Sequence, residues 1–256
     1  MEFQAMSPSM LALTKRIAFL LLTFIGLHST AETNEEARDF NYFPKIITVF
    51  PTVIGAGAGA SYQNHYEINL IYGLTPTPYS DTIASLAATS SGNSSYQEVI
   101  KAAFQNNSQI RLALQYHFIS PTVGWHLGFS FARLSSSGEA DIESVLYAAT
   151  GRDYTTLMNL LRARGRSTAV SMESTLSLAE LQTGYSWELS PDLGLSVDLG
   201  ISKVTASTVT LETGLPNFEA SAAGSSLLRS SEEEIETIID DYGVAPTLAV
   251  SFIYLF

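Results

Sequence analysis

The chain has 256 residues, a formal net charge of −12 and no cysteine. The acidic balance argues against binding nucleic acid or bare anionic lipid, and the lack of cysteine excludes disulfides and thiol chemistry. Hydrophobic residues make up 46% of the chain and charged residues only 15%. After the amino-terminal region, no stretch approaches the roughly 18 consecutive apolar residues of a membrane helix. Strands with one apolar face explain a high apolar content without a long apolar run, because their apolar residues alternate with small or polar ones.

The amino-terminal region has the pattern of a secretory signal. Two positive residues at 15–16 precede an apolar run over 17–27 that is too short to span a bilayer. Small residues follow and end at Ala31, as a signal peptidase requires. We predict a signal peptide over 1–31 and one mature domain over 32–256, with an uncleaved membrane anchor as the alternative.

Apolar residues alternate with small or polar residues in several short segments. This period of two predicts strands with one apolar face. Each segment is close to the roughly 9–11 residues that a tilted strand needs to cross a membrane. Pro51 and Thr52 divide the first two segments, and one bent strand, giving seven in all, is the alternative to eight. The segments are 42–50, 53–61, 66–72, 110–118, 123–131, 181–189, 193–201 and 244–256.

Three long insertions separate pairs of strands, at about 75–107, 135–166 and 212–243. Loops of this length normally have structure or a function of their own, and apolar residues recur in these at helical spacing. We therefore predict helices in all three. Ser231 and Glu234 form a capping-box pattern before the last helix, and Gly243 follows it as a stop. The predicted helix-contact residues are Leu157, Leu160, Leu161, Ile235, Ile238, Ile239 and Tyr242.

The insertions also carry opposite charges. The second is basic at its end, with Arg162, Arg164 and Arg166, whereas 231–241 is acidic. These helices could pair within one molecule or between copies, although exposed ion pairs stabilise by only about 0–1 kcal/mol. Their apolar stripes need cover as well. The stripes would pack together as a cap, form homo-oligomer contacts or meet a foreign partner.

The last thirteen residues form the clearest strand. Every even position from Val244 is apolar or proline, and the segment ends with Tyr254 and Phe256. This resembles the closing strand of bacterial outer-membrane β-barrels, and most of the chain resembles the small OmpA, OmpX and OmpW class. The resemblance implies an all-β, eight-stranded antiparallel barrel in outer-membrane lipid. With the carboxyl terminus at the periplasmic side, the three helical insertions are extracellular and the short turns at 120–122 and 190–192 are periplasmic.

Polar residues on the opposite strand faces would point into the barrel. Parity across the turn at Pro121 and Thr122 makes His117 and His126 cross-strand neighbours. Because buried charges must be paired, we expect an internal ion-pair network. A metal or proton site is the alternative for the histidine pair, but two ligands do not make a metal site. We expect no metal and no cofactor. The predicted network contains Glu67, Arg111, Gln115, His117, His126, Glu188 and Asp198.

Residues 53–60 match the dinucleotide fingerprint, with Gly55, Gly57 and Ala60 in place. That motif needs a helix directly afterwards, so that its amino terminus meets the pyrophosphate. An alternating strand follows instead. We therefore interpret the glycines as positions whose missing side chains leave room inside a narrow barrel.

The sequence favours a non-enzymatic protein. An outer-membrane hydrolase would need a nucleophile beside a histidine at the outer rim, but the predicted histidine pair lies near a periplasmic turn. The main hypothesis is a barrel whose helical insertions form a cap or mediate homo-oligomeric assembly or surface contact. The alternative is a porin-like conduit for small or apolar solutes, through the barrel or an oligomer centre.

Overall fold

The structure is a computed structural model that describes residues 40–91, 95–163, 165, 168–214 and 219–255. The predicted signal peptide lies outside these residues. So do Arg164, Arg166 and Phe256.

Eight antiparallel strands close into a barrel in which each strand pairs with its neighbours in sequence and β1 pairs with β8. The eight-stranded prediction is confirmed, and the seven-stranded alternative is wrong. Val49 pairs with Val53 across the turn that contains Pro51, so the first two strands are separate. The strands are β1 Phe40–Phe50, β2 Val53–Tyr62, β3 Tyr66–Leu74, β4 Asn106–His117, β5 Gly124–Asp141, β6 Ala169–Ser190, β7 Leu193–Thr213 and β8 Val244–Tyr254.

The outer face of the barrel exposes large apolar side chains. Trp125, Leu181 and Ile201 are 60%, 67% and 62% exposed, and similar residues surround the barrel. An apolar surface of this extent needs a lipid environment, and a closed barrel leaves no unpaired strand edge within that environment. An even number of antiparallel strands with an apolar outer band is the architecture of bacterial outer-membrane barrels. The protein is therefore an integral outer-membrane barrel.

Among the described residues, no helix is both long and apolar enough to span a bilayer. The helices instead follow the strands β3, β5 and β7, all at the end opposite the turns β2–β3, β4–β5 and β6–β7. They are α1 Thr77–Ser91, α2 Ser95–Ala103, α3 Ile142–Thr150, α4 Thr155–Ala163 and α5 Ala222–Tyr242.

Three strands extend beyond the predicted membrane segments. The second insertion begins after Asp141 rather than at 135, and β6 is 22 residues long. In these extensions the polarity of the strand faces is reversed. Met172 and Val170 of β6 are buried on the inner face, whereas Glu173 on the outer face is exposed. The outer face has left the lipid and meets water, while the inner face packs against helices.

The inner faces of these extensions and the helices of all three insertions share one hydrophobic core, which we call the cap core. Helices α2, α3, α4 and α5 contribute to it together with β6 and β7. Its buried members are Val99, Ala103, Ile142, Val145, Leu146, Ala148, Met158, Val170, Met172, Val209, Leu211, Leu228 and Ile235.

Helix α5 begins earlier than the sequence predicts. Its N-cap is Ser221, whose side chain accepts a hydrogen bond from the Gly224 N–H. Ser231 lies inside the helix and donates to the Leu227 carbonyl at 2.9 Å, so the predicted capping box is wrong. Gly243 follows the helix as predicted.

Candidate functional site

One group of buried polar side chains in the lumen is centred on Glu67. Lys45 Nζ lies 2.8 Å from Glu67 Oε1 and donates to Gln115 Oε1 at 3.1 Å. Asn69 donates to Glu67 Oε1 at 2.6 Å. His117 Nε2 lies 2.9 Å from Glu67 Oε2, although the angle departs from hydrogen-bond geometry. The Glu67 carboxylate thus contacts Lys45 of β1 and His117 of β4 as well as Asn69 of its own strand.

A second group is centred on Arg111 of β4. Its guanidinium lies 2.5 Å from Glu180 Oε2 and donates to Gln182 Oε1 at 2.8 Å. Thr247 of β8 donates to the other carboxylate oxygen of Glu180 at 2.6 Å. Arg111 is only 2% exposed. A buried ion pair with these additional hydrogen bonds ties β4, β6 and β8 together across the lumen.

The histidine pair links these side chains to β7. The strand register places His117 opposite His126, and the two ring centroids are 4.9 Å apart. His126 Nε2 contacts Asp198 Oδ1, and Ser196 donates to the other oxygen of Asp198 at 3.2 Å. A Cβ atom on Gly184 would collide with Asp198 and His126. The absent side chain of that glycine makes the contact possible.

The structure places the predicted lumen residues unevenly. Glu67, Arg111, Gln115, His117, His126 and Asp198 are buried. Glu188 is exposed near the β6–β7 turn, directly before a register shift. No contact between Glu188 and the network is described, so its place in the network stays a prediction.

Two charged lumen residues were missed by the sequence reasoning, Lys45 and Glu180. Glu180 lies one residue before the segment assigned to β6, although parity with Gln182 would have placed it inside. Lys45 pairs with Gly57 in the register of β1 and β2. The glycines of β2 were predicted to face the lumen, and a residue paired with one of them across the hairpin faces the same way. This argument would have identified Lys45 as a lumen residue.

These polar side chains fill the lumen. A void of about 10 Å³ lies beside Arg111 and Glu180, which is about the space of one water molecule. Gly59 faces the same interior, and a Cβ atom there would collide with the ring of Phe43 and with Asn69. An eight-stranded barrel is just wide enough for its own side chains.

A larger cavity of about 150 Å³ lies where the cap helices meet the barrel mouth. Side chains from α1, α2, α5, β6 and β7 line it, and these are apolar except for Ser174. The lining residues are Ile83, Val99, Ile100, Ala103, Phe104, Met172, Ser174, Leu176, Val204, Val209, Ile235, Ile239 and Gly243.

Helix α5 lies along β7 beyond the point where β8 begins. Glu232 accepts a hydrogen bond from the Leu211 N–H at 2.7 Å, and Glu236 accepts one from the Val209 N–H at 2.8 Å. Just before the helix, Glu219 accepts from the Thr213 N–H at 2.6 Å. Carboxylates thus bind backbone donors of β7 that have no partner strand on this side.

The predicted helix contacts are described only in part. Ile235 is buried in the cap core, and Ile239 packs against it. The other five side chains lie outside the described part of the structure. They are Leu157, Leu160, Leu161, Ile238 and Tyr242.

Among the described contacts, Arg162 does not pair with the acidic helix. It lies 2.6 Å from Asp141 and 3.3 Å from Glu143, both near the start of α3. The hydrogen bond to Asp141 raises the pKa of Arg162 above its ordinary value. The two helices of the second insertion are therefore linked to each other.

The sequence matches no protein-family model and no curated protein. Among solved structures, the chain is similar to the amino-terminal β-barrel domain of Pseudomonas aeruginosa OprF. Identity is 10%, the match covers 86% of this chain and 98% of that one, and the TM-score is 0.38. A Thermus thermophilus major outer membrane protein matches with 12% identity, 84% and 99% coverage and a TM-score of 0.39.

Acinetobacter baumannii CarO2 matches with 11% identity, 85% and 98% coverage and a TM-score of 0.35. The closed strand topology and the apolar outer face of this chain, rather than these similarities, define it as an eight-stranded outer-membrane barrel.

Proposed function

We propose that the protein is a non-conducting, non-enzymatic barrel that holds a helical cap on the outside of the outer membrane. The observation that carries the proposal is the shared cap core. Helices from all three insertions pack on strands that continue out of the barrel wall. The cap is thereby fixed to the barrel by continuous strands rather than by flexible loops.

The filled lumen supports the non-conducting part of the proposal. Arg111, Glu67 and Asp198 are each 2% exposed and bind partners on other strands. An ion that crossed the barrel would have to separate these pairs, each of which is costly to break in a low-dielectric interior.

The non-enzymatic part rests on the histidine pair. His117 and His126 are 1% and 0% exposed. Their described side-chain partners are the lumen residues Glu67, Asp198 and Ser186. A substrate would have no access to either ring without displacing the network.

Planar-bilayer recordings with the purified full-length protein test whether it conducts. We expect bilayers that contain the protein to match protein-free bilayers, while a general porin inserted in the same way gives steady steps. Steady conductance steps from this protein would contradict the proposal and support the porin-like conduit instead.

The role of α5 within one molecule can be separated from assembly between copies. Ile239 packs against the cap core, which favours an intramolecular role. We expect native mass measurements in mild detergent to give a monomer for the wild type, and Ile239→Asp to weaken the cap without changing this mass. A wild-type oligomer that Ile239→Asp dissociates would instead support homo-oligomeric assembly.

A further inference from the structure

The cavity between the cap and the barrel mouth has the chemistry of a binding site for an apolar molecule. Four elements enclose most of it with aliphatic side chains, among them Val99, Met172, Val209 and Ile235, which are all buried. Phe104 adds an aromatic ring. Such a lining gives a ligand dispersion contacts and removes its apolar surface from water.

The single polar side chain of the lining is already occupied. The hydroxyl of Ser174 shares a hydrogen bond of 2.6 Å with the hydroxyl of Ser136. A water molecule in a protein interior needs two to four polar partners, and an apolar cavity of this kind stays dry. A polar or charged ligand would lose its hydration without replacement hydrogen bonds.

The volume limits the size of the ligand. The cavity measures about 150 Å³, and an engineered apolar cavity of about this volume in another protein binds benzene. Ile83, Ile100 and Ile239 are only partly buried. The cavity is therefore not fully enclosed.

We propose that this cavity binds one small uncharged apolar molecule, of about the size of a monocyclic aromatic hydrocarbon, on the extracellular side of the barrel. This goes beyond the role of the cap as a surface structure. It also requires no passage through the lumen, so it does not depend on conductance.

Binding can be measured with 4-fluorotoluene as the probe and the full-length protein in lipid nanodiscs. Fluorine NMR line broadening that saturates with probe concentration reports the site, and protein-free nanodiscs correct for partitioning into lipid. We expect saturable binding to the wild type. A charged probe of the same size, 4-fluorobenzylammonium, should not bind.

Two matched variants test whether the probe binds in this cavity. Ala103→Phe adds a ring to the lining, and we expect it to weaken binding at least about tenfold, whereas Met158→Ala changes the cap core away from the lining and should leave affinity unchanged. Val209→Phe replaces Ala103→Phe if that variant does not fold. Lack of saturable wild-type binding, or binding that survives ring insertion in a folded variant, would overturn the proposal.

Discussion

At the scale of single residues, the arrangement of the lumen side chains follows from the free-energy cost of leaving a buried charge unpaired. Arg111 is held by Glu180 and Gln182, and the second oxygen of Glu180 is held by Thr247. Removing one partner of such a buried pair is far more damaging than removing an exposed charge, because the remaining ion has neither water nor a counter-charge.

We expect Arg111→Met to lower the free energy of unfolding by about 3–5 kcal/mol, because Glu180 would remain buried and charged. Urea unfolding in micelles, followed by the fluorescence of Trp125 and Trp187, measures the loss. Arg133→Met, on the exposed outer face of β5, is the control and should change stability by less than about 0.5 kcal/mol.

A double variant separates charge from packing. If the unpaired carboxylate causes the loss, Arg111→Met combined with Glu180→Gln should regain part of the stability. Equal stability of the single and double variants would show that the loss comes from packing alone.

Strand parity was sufficient to predict most of this cluster, and its failures have local causes. Parity holds for His117, His126 and Asp198, since their strands are regular between the turns. It missed Glu180, because the predicted segment of β6 began one residue later, and Glu188 on the same face is exposed directly before a register shift. No pattern in the sequence announces that shift.

At the scale of elements, the polarity of the two strand faces is exchanged at the membrane boundary. Within the lipid, β6 directs Leu181 outward and Gln182 inward, whereas beyond it Glu173 points outward and Met172 inward. Strand prediction from an apolar outer face therefore identifies only the part of each strand that lies within the membrane. This is why the sequence predicted the membrane strands well and their extensions beyond the membrane poorly.

Helix α5 fits β7 because their repeats match along the axis. Four helical residues rise about 6 Å, and two strand residues rise about 7 Å. Glu232 and Glu236, four apart, therefore meet the N–H groups of Leu211 and Val209, two apart. The helical period of the sequence was visible, but this pairing depends on the position of β7.

We expect Glu232→Ala combined with Glu236→Ala to expose these two N–H groups to solvent. Hydrogen–deuterium exchange of the peptide that contains Val209 and Leu211 should become faster, because both donors lose their partner. The Gln double variant keeps neutral acceptors and should show an intermediate rate.

Glu234→Ala is the control for that experiment, since Glu234 is an exposed acid on the same helix. It should leave exchange at Val209 and Leu211 unchanged. If it had the same effect as the double Ala variant, general weakening of the helix would explain the result instead of the carboxylate contacts.

At the scale of the whole molecule, three helical insertions lie at one end of the barrel and three short turns at the other. The paired end of β8, at Tyr254, lies opposite Leu193 at the short-turn end. The alternating segments predicted this layout, because strand number and turn length together determine which loops share an end. The cap core could not be predicted, since it joins residues from separate insertions.

The sidedness can be tested with single cysteines, because the chain has none of its own. Gly151, with no heavy atom within 4 Å of an added Cβ, lies between α3 and α4, whereas exposed Asp192 lies in the β6–β7 turn. We expect a maleimide too large for porins to label Gly151→Cys on intact cells. Asp192→Cys should react only after the outer membrane is permeabilised. The reverse pattern would invert the topology.

The contact between α5 and β7 has a further consequence for the part of the sheet that extends beyond the membrane. The pairing of β7 with β8 ends at Lys203. Beyond this residue, the edge of β7 would present unpaired backbone N–H groups. Such an edge can pair with an extended segment of another molecule, and this pairing leads to aggregation. The carboxylates of α5 occupy those donors, and on the opposite side Gln105 exchanges hydrogen bonds with the backbone of Glu139. The sheet can therefore rise out of the membrane while its flanks resist recruitment into intermolecular β-structure.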